Sequence, residues 1–138
     1  MGPNEGSLDV AEQFASALDT DGFSEAARLL DEDCLYRTRG KEIRGREHVI
    51  DSFMEASKWA HSSLDKIVYE HTLDVQSEGA ATIRFVDIFE HRGRQIVHAC
   101  LMHVELGPNA LIRRLTLEEL PGERERVDAF LQAVGVKR

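Results

Sequence analysis

The sequence predicts one domain of the α+β class, and two features of its hydrophobic patterning carry that prediction. Over residues 10–60, apolar side chains recur three or four positions apart, which is the spacing of amphipathic helices. Over residues 65–119 the period changes to two, the spacing of strands with one buried face. Helices followed by a run of antiparallel strands are typical of an α+β domain.

The first half contains three predicted helices and one short strand. Asp21-Gly22 interrupts the helical pattern, and Ser24 can cap the helix that restarts it. Aromatic and β-branched residues before Gly40 favour a strand. The predicted elements are a helix over Val10 to Leu18, a helix over residues 24–30, a strand over residues 34–38 and a helix from Gly45 to about Trp59.

Four strands and a last helix are predicted in the second half. Gly, Pro, Asn or Ser stands at each break between the strands, and Arg92-Gly93 is short enough for a two-residue hairpin turn. Pro121 opens a helix with Val127, Phe130 and Leu131 on one face. The predicted strands are residues 65–75, 79–91, 94–106 and 111–119.

Composition narrows the class of protein. The formal net charge of −8 over 138 residues disfavours nucleic acid as a partner, because that binding depends on clustered Lys and Arg. No 18-residue apolar run and no signal-like start occur, so we expect no membrane association and a cytoplasmic location. Cys34 and Cys100 lack metal or disulfide spacing. We expect a flexible start over residues 1–7, a domain over residues 8–120 and a C-terminal helical extension of it over residues 121–138.

The segment AEQFASALDTDGFSEAARLLDEDCLYRTRGKEIRGREHVIDSF resembles the NTF2-like superfamily, particularly its SnoaL-like members. The matching features, in order, are Ala17-Leu18-Asp19, Asp21-Gly22, Leu29-Leu30, Asp33, Gly40, Gly45 and Phe53. The resemblance implies an NTF2-like, cystatin-like cone, in which a curved antiparallel sheet wraps around the N-terminal helices and forms a pocket. It also implies a homodimer, but it does not fix the chemistry. We expect no cofactor to be required.

Two known chemistries of the superfamily fit these residues poorly. The base, tyrosine and acid of the ketosteroid isomerases fall at Arg37, Phe14 and Met102. None of these can fill its role, because Arg is not a base at neutral pH and neither Phe nor Met donates a hydrogen bond. The Asp-Arg-Asp arrangement of limonene-epoxide-hydrolase-like members would have to use Arg37, Arg84 and Asp87, which lack the motif spacing.

The hairpin at Arg92-Gly93 predicts a polar pair on an apolar face. Counting back from this turn places Asp87 opposite His98, on the face that also carries Phe85, Phe89 and Met102. Pairing Leu106 with Leu111 places Glu119 opposite His98 as well, which gives a row of Asp87, His98 and Glu119.

Such a row inside an apolar cone can poise His98, oriented by Asp87, for general acid or base catalysis. The alternative is structural: Asp87 satisfies a buried His98, and Glu119 lies at the edge of the sheet. His98 and His103 point to opposite faces of a regular strand, so no shared metal is expected.

The predicted pocket wall extends beyond this row. Tyr36 and Trp59 are candidates for its mouth, and ordinary partial burial is the alternative for both. Arg37 and Arg39 could clamp a carboxylate, although ion pairs with Glu32 or Glu42 are the favoured interpretation. The predicted ligand-binding residues are Tyr36, Trp59, Tyr69, Phe85, Phe89, Met102, Leu117 and Glu119.

The outward face of the sheet is too apolar to be wholly solvated, since Val86, Ile88, Val97 and Leu101 lie on it. We expect a homodimer through this face, and coverage by the C-terminal helix is the alternative. The functional hypothesis is a SnoaL-like protein that binds a small hydrophobic molecule, with isomerase, cyclase or hydratase activity as the candidate chemistry. The competing hypothesis is a non-catalytic NTF2-like binding or dimerisation domain.

Overall fold

The computed structural model describes residues 3–77 and 79–138, which form a layer of helices against one curved six-stranded sheet. This architecture confirms the predicted fold class. The helices are α1 (Pro3–Asp19), α2 (Phe23–Arg28), α3 (Arg46–Ser63) and α4 (Glu123–Ala133); the strands are β1 (Leu30–Thr38), β2 (Lys41–Arg44), β3 (Lys66–Ser77), β4 (Ala80–His91), β5 (Arg94–Leu106) and β6 (Ile112–Glu119).

Two element boundaries near the N-terminus differ from the prediction, and one further strand was not predicted. Helix α1 begins at Pro3, so it includes most of the stretch expected to be flexible, of which residues 1 and 2 lie outside the described residues. Strand β1 begins at Leu30 and takes the end of the predicted second helix, because pairing with β6 buries Leu30 completely. Strand β2 is short and polar, and its sequence pattern did not predict it.

The strands lie in the order β2-β1-β6-β5-β4-β3. All neighbours are antiparallel except β1 and β6, which are parallel, so the expectation of a purely antiparallel sheet was wrong for this pair. The pair joins the first and last long strands of the chain. Local periodicity does not specify which distant strand becomes a neighbour or in which direction it runs.

The strand register decides which residues meet. Arg92 and Gly93 have φ values of 50° and 75°, as a tight primed turn requires, and Asp87 pairs with His98 as predicted. The predicted β5–β6 register was wrong by two residues: Glu119 lies opposite Cys100 instead of His98. A bulge after Ile112 and the longer loop closed by the Gly107 N–H donating to the Leu111 carbonyl explain this shift. An even shift leaves every side chain on its predicted face.

The hydrophobic core lies between α1, α3 and the inner face of the sheet. Phe14 of α1 is fully buried, and its ring centroid lies 6.1 Å from that of Phe53 of α3. Burying aromatic side chains of this size is a major source of stability, which explains why these two helices hold their positions over the sheet.

Helix α4 packs on the inner face of the sheet. Its Val127 and Leu131 form a cluster with Leu64, Phe89 and Ile96. Glu123 and Arg126 also bind the backbone N–H of Ala99 and the carbonyl of Val97, where β6 no longer pairs with β5. The alternative in which this helix covers the outward face is therefore wrong. No helix among the described residues is long and apolar enough to cross a membrane.

Candidate functional site

The inner face of the sheet and the helices enclose a cavity of about 460 Å³. Its wall is mainly apolar and aromatic, which is typical of small-molecule sites, and its volume lies in the usual range for them. The apolar lining consists of Leu18, Phe23, Tyr36, Phe53, Ala56, Trp59, Ala60, Phe85, Phe89, Cys100, Met102 and Leu117.

Nearly all of the predicted site residues meet at this cavity. It is lined by Asp87, His98, Tyr36, Trp59, Tyr69, Phe85, Phe89, Met102 and Leu117. Glu119 is the exception: it lies outside the lining and accepts two hydrogen bonds from Arg124. The two-residue error in the β5–β6 register moved Glu119 away from His98, so the predicted three-residue row is corrected to the pair Asp87 and His98.

Asp87 and His98 form the pair that the hairpin predicted. His98 Nε2 lies 3.2 Å from Asp87 Oδ2, and the two side chains are 14% and 25% exposed, respectively. The His98 ring also packs against Phe89, with ring centroids 5.1 Å apart. An imidazole oriented by a carboxylate on an apolar wall is an arrangement suited to accepting and returning a proton.

A second acid at the cavity was missed by the sequence analysis. Asp19, at the end of α1, accepts a hydrogen bond of 2.5 Å from His71 Nδ1 on β3. The other nitrogen of His71 donates to Glu12 at 2.9 Å. Asp19 lines the cavity, and its Oδ1 is buried with no hydrogen-bond partner among residues 3–77 and 79–138. This oxygen is a buried acceptor that no hydrogen bond from the described residues satisfies.

The two carboxylates favour the charged form of His71. Burial lowers the pKa of His71, but its hydrogen bonds to Asp19 and Glu12 outweigh burial and leave the pKa raised above 6.5. Burial raises the pKa of Asp19, although the hydrogen bond from His71 opposes that shift. A raised histidine pKa means that the native state holds this proton more tightly than the unfolded chain does.

Replacing His71 should therefore change how stability depends on pH. The raised pKa stabilises the native state fully below pH 6.5, and this stabilisation is lost as the pH rises through the folded-state pKa. We expect His71→Gln to lower the free energy of unfolding by roughly 1.5–3 kcal/mol at pH 6, the usual contribution of hydrogen bonds to charged groups, and by less at pH 9. Urea unfolding across this range measures the effect. His48→Gln, at an exposed position, is the control; an equal loss at both pH values would contradict the prediction.

A third polar group reaches the cavity from the turn after α1. Asp21 adopts a φ of 57°, and its carboxylate accepts hydrogen bonds from Ser57 at 2.7 Å and from His61 at 3.0 Å. The Ser57 hydroxyl lies 3.4 Å from the Tyr69 hydroxyl. Burial raises the pKa of Tyr69, so its phenol stays protonated and can donate to a ligand.

The sequence did contain signals for His71, Asp19 and Asp21, which were not predicted as site residues. His71 has the same parity as Tyr69 on β3, so it belonged to the predicted inward face. Asp19 and Asp21 flank the turn that ends α1, where the chain approaches the sheet. Sequence patterning alone did not show that this turn faces the cavity.

The remaining chemistry of the wall is limited. Burial raises the pKa of the Cys100 thiol to about 12, so this cysteine is protonated and is a poor nucleophile. No group of three His, Cys, Asp or Glu side chains suited to holding a metal ion occurs in the described part of the chain. The Asp and His side chains at the cavity wall are groups that can transfer protons.

Comparisons with known proteins identify structures that share the fold of this chain. No protein-family model matches the sequence, and no curated protein matches it significantly. A solved structure of a proposed polyketide cyclase from Xanthomonas campestris is similar, with a TM-score of 0.69, 11% identity, and 96% of this chain and 99% of that chain covered.

Two structures from Mycobacterium tuberculosis are also similar, both with a TM-score of 0.63. An LEH-like epoxide hydrolase has 14% identity and covers 94% of this chain and 97% of its own. RV0760c in complex with estradiol-17β-hemisuccinate has 12% identity and covers 86% of this chain and 96% of its own. In this chain Arg84 is exposed and lies on the opposite face of β4 from Asp87, which separates two members of the suggested Asp-Arg-Asp arrangement. At these identities the comparisons show the fold: this chain has the α+β, NTF2-like fold.

Proposed function

We propose that this protein is a SnoaL-like, cofactor-free enzyme that binds a small hydrophobic molecule and moves protons on it. One observation carries the proposal: the Asp87–His98 pair lies on the wall of an apolar cavity of about 460 Å³. A cavity of this size accommodates a molecule of two or more rings, and both members of the Asp87–His98 pair line it, whereas His71 and His61, the partners of Asp19 and Asp21, do not.

The structural neighbours support the same class of function. One is described as a proposed polyketide cyclase, and another was solved with a steroid ester in complex. Cyclisation, isomerisation and hydration each need a proton removed from one atom and a proton delivered to another. A histidine held by a carboxylate can perform both steps in turn.

The proposed mechanism assigns a role to each polar group of the wall. Asp87 Oδ2 lies 3.2 Å from His98 Nε2 and favours a proton on that nitrogen, so the Nδ1 lone pair takes a proton from the ligand and Asp87 stabilises the resulting imidazolium. The imidazolium then returns the proton to another atom of the ligand. The Asp19 carboxylate accepts a hydrogen bond from a ligand hydroxyl, and the Tyr69 hydroxyl donates one, so both orient the bound molecule.

The second candidate function is ligand binding without catalysis. It shares the cavity, so the cavity does not distinguish the two candidates. They differ over Asp87 and His98, which are needed for turnover in the first and only for packing in the second.

A proton-abstraction probe tests the proposal without knowledge of the natural ligand. 5-Nitrobenzisoxazole is a small aromatic compound that loses its C3 proton to a base as its N–O bond breaks, which gives a coloured cyanonitrophenolate. We expect saturable turnover by the wild-type protein above the rate in buffer. A rate no faster than that of an equal concentration of acetate and imidazole would overturn the catalytic proposal.

We also propose that the protein is a homodimer through the outward face of the sheet. Val97 is 45% exposed on this face, which also carries Val86, Ile88 and Leu101. We expect sedimentation velocity to show a dimer, and Val97→Asp to shift it toward the monomer, because the substitution buries an unpaired charge. A monomeric wild-type protein at high concentration would contradict this.

A further inference from the structure

Two arginines lie at the end of the cavity wall away from Asp87. Arg39 occupies the turn between β1 and β2, with a φ of 46°, and Arg138 follows α4. Both line the cavity, although they are 99 positions apart in the sequence, so the fold brings together one arginine from each half of the chain. The wall is otherwise apolar apart from the three aspartates, Ser57, Tyr69 and His98.

The carboxylates near these arginines do not satisfy all of the guanidinium hydrogen-bond donors. Glu119 accepts two hydrogen bonds from Arg124, at 2.6 and 3.2 Å, and lies 3.6 Å from the Arg39 guanidinium. Arg138 donates to Asp128 at 3.2 Å. Three guanidinium groups thus share two carboxylates, and Arg39 makes no side-chain hydrogen bond to another residue in the described part of the chain.

The electrostatics at this end favour an additional anion. Burial and then the positive charge of Arg39 lower the pKa of Arg138, which shows that the two cations are close enough to repel each other. A carboxylate between them would relieve this repulsion. Guanidinium groups bind carboxylates through two parallel hydrogen bonds, and Arg39 has free donors for that geometry.

We propose that the ligand of this cavity carries a carboxylate or a similar oxyanion, bound by Arg39 and Arg138, on an otherwise apolar body of rings. This inference rests on the proposed function, and it defines the class of molecule that the cavity takes. Arg39 follows β1 and Asp87 is on β4, three inter-strand steps of about 4.8 Å apart in the sheet order. The reacting atoms would therefore lie a ring or two away from the anionic group.

A matched pair of fluorescent probes tests this inference. 8-Anilinonaphthalene-1-sulfonate and N-phenyl-1-naphthylamine share one ring system, but only the first carries an anionic group. We expect the sulfonate to bind the wild-type protein at least tenfold more tightly than the neutral probe does, and 0.5 M NaCl to reduce that preference. Equal affinities would overturn the inference while leaving the apolar cavity supported. Binding of neither probe would overturn the proposed function, and this inference with it.

Arginine variants test whether the preference for the sulfonate probe over the neutral probe arises at this end of the cavity. We expect Arg39→Gln and Arg138→Gln each to weaken sulfonate binding about tenfold or more and to change neutral-probe binding less than threefold. Arg39→Lys should recover part of the loss, because it restores the charge without the planar fork. Arg37→Gln is the matched control, since Arg37 is exposed and pairs with Glu42 at 3.0 Å. A loss as large in Arg37→Gln would assign the effect to overall charge and overturn the proposed site.

Discussion

Asp87→Asn and His98→Gln should each lower kcat/KM for 5-nitrobenzisoxazole by roughly a hundredfold or more, the usual contribution of a positioned acid or base. Asparagine has nearly the same shape as aspartate, but it cannot stabilise a charged His98. Glutamine removes the imidazole itself. The double variant should be little worse than either single one, because the two residues act as a unit.

A matched Asp–His pair outside the cavity provides the control. Asp65 immediately precedes β3 and lies 3.4 Å from His91, the last residue of β4, and neither residue lines the cavity. Asp65→Asn should leave turnover of the probe within twofold of the wild-type rate. If the Asp87 and His98 variants kept wild-type turnover while remaining folded, the protein would be a binding domain instead of an enzyme.

Leu117→Trp should abolish binding of N-phenyl-1-naphthylamine, with an expected loss of at least roughly a hundredfold in affinity. Leu117 is half-buried on β6 and lines the cavity, so a larger ring at this position takes the space of the ligand. Adding a larger side chain to a filled core lowers stability by about 1–3 kcal/mol, whereas the added atoms of Trp at this position can occupy the cavity. The folded state should therefore survive while binding is lost.

The adjacent residue on the same strand supplies the control for this variant. Thr116 points to the opposite face of β6, away from the cavity, so Thr116→Trp should leave probe binding unchanged. Thermal unfolding of both variants shows whether the fold is intact. Undiminished binding in a folded Leu117→Trp variant would show that the probe binds elsewhere on the protein.

Local patterning determined much of this molecule. The period-two pattern and the two-residue turn at Arg92-Gly93 fixed the β4–β5 hairpin and brought Asp87 opposite His98. A side-chain period of two, combined with a short turn, leaves one register that buries the apolar face. The same logic placed Tyr69, Phe85 and Met102 at the cavity wall.

Only the tertiary structure decided the rest of the site. His71 and Asp19 are 52 positions apart, and they meet because α1 packs across β3. The parallel pairing of β1 with β6 and the bulge in β6 set where Arg39 and Glu119 lie. Such contacts depend on how distant elements pack and on single-residue irregularities in a strand, and neither leaves a periodic signal in the sequence. The sequence thus determined the faces of the strands, whereas packing decided which charged groups meet at the cavity.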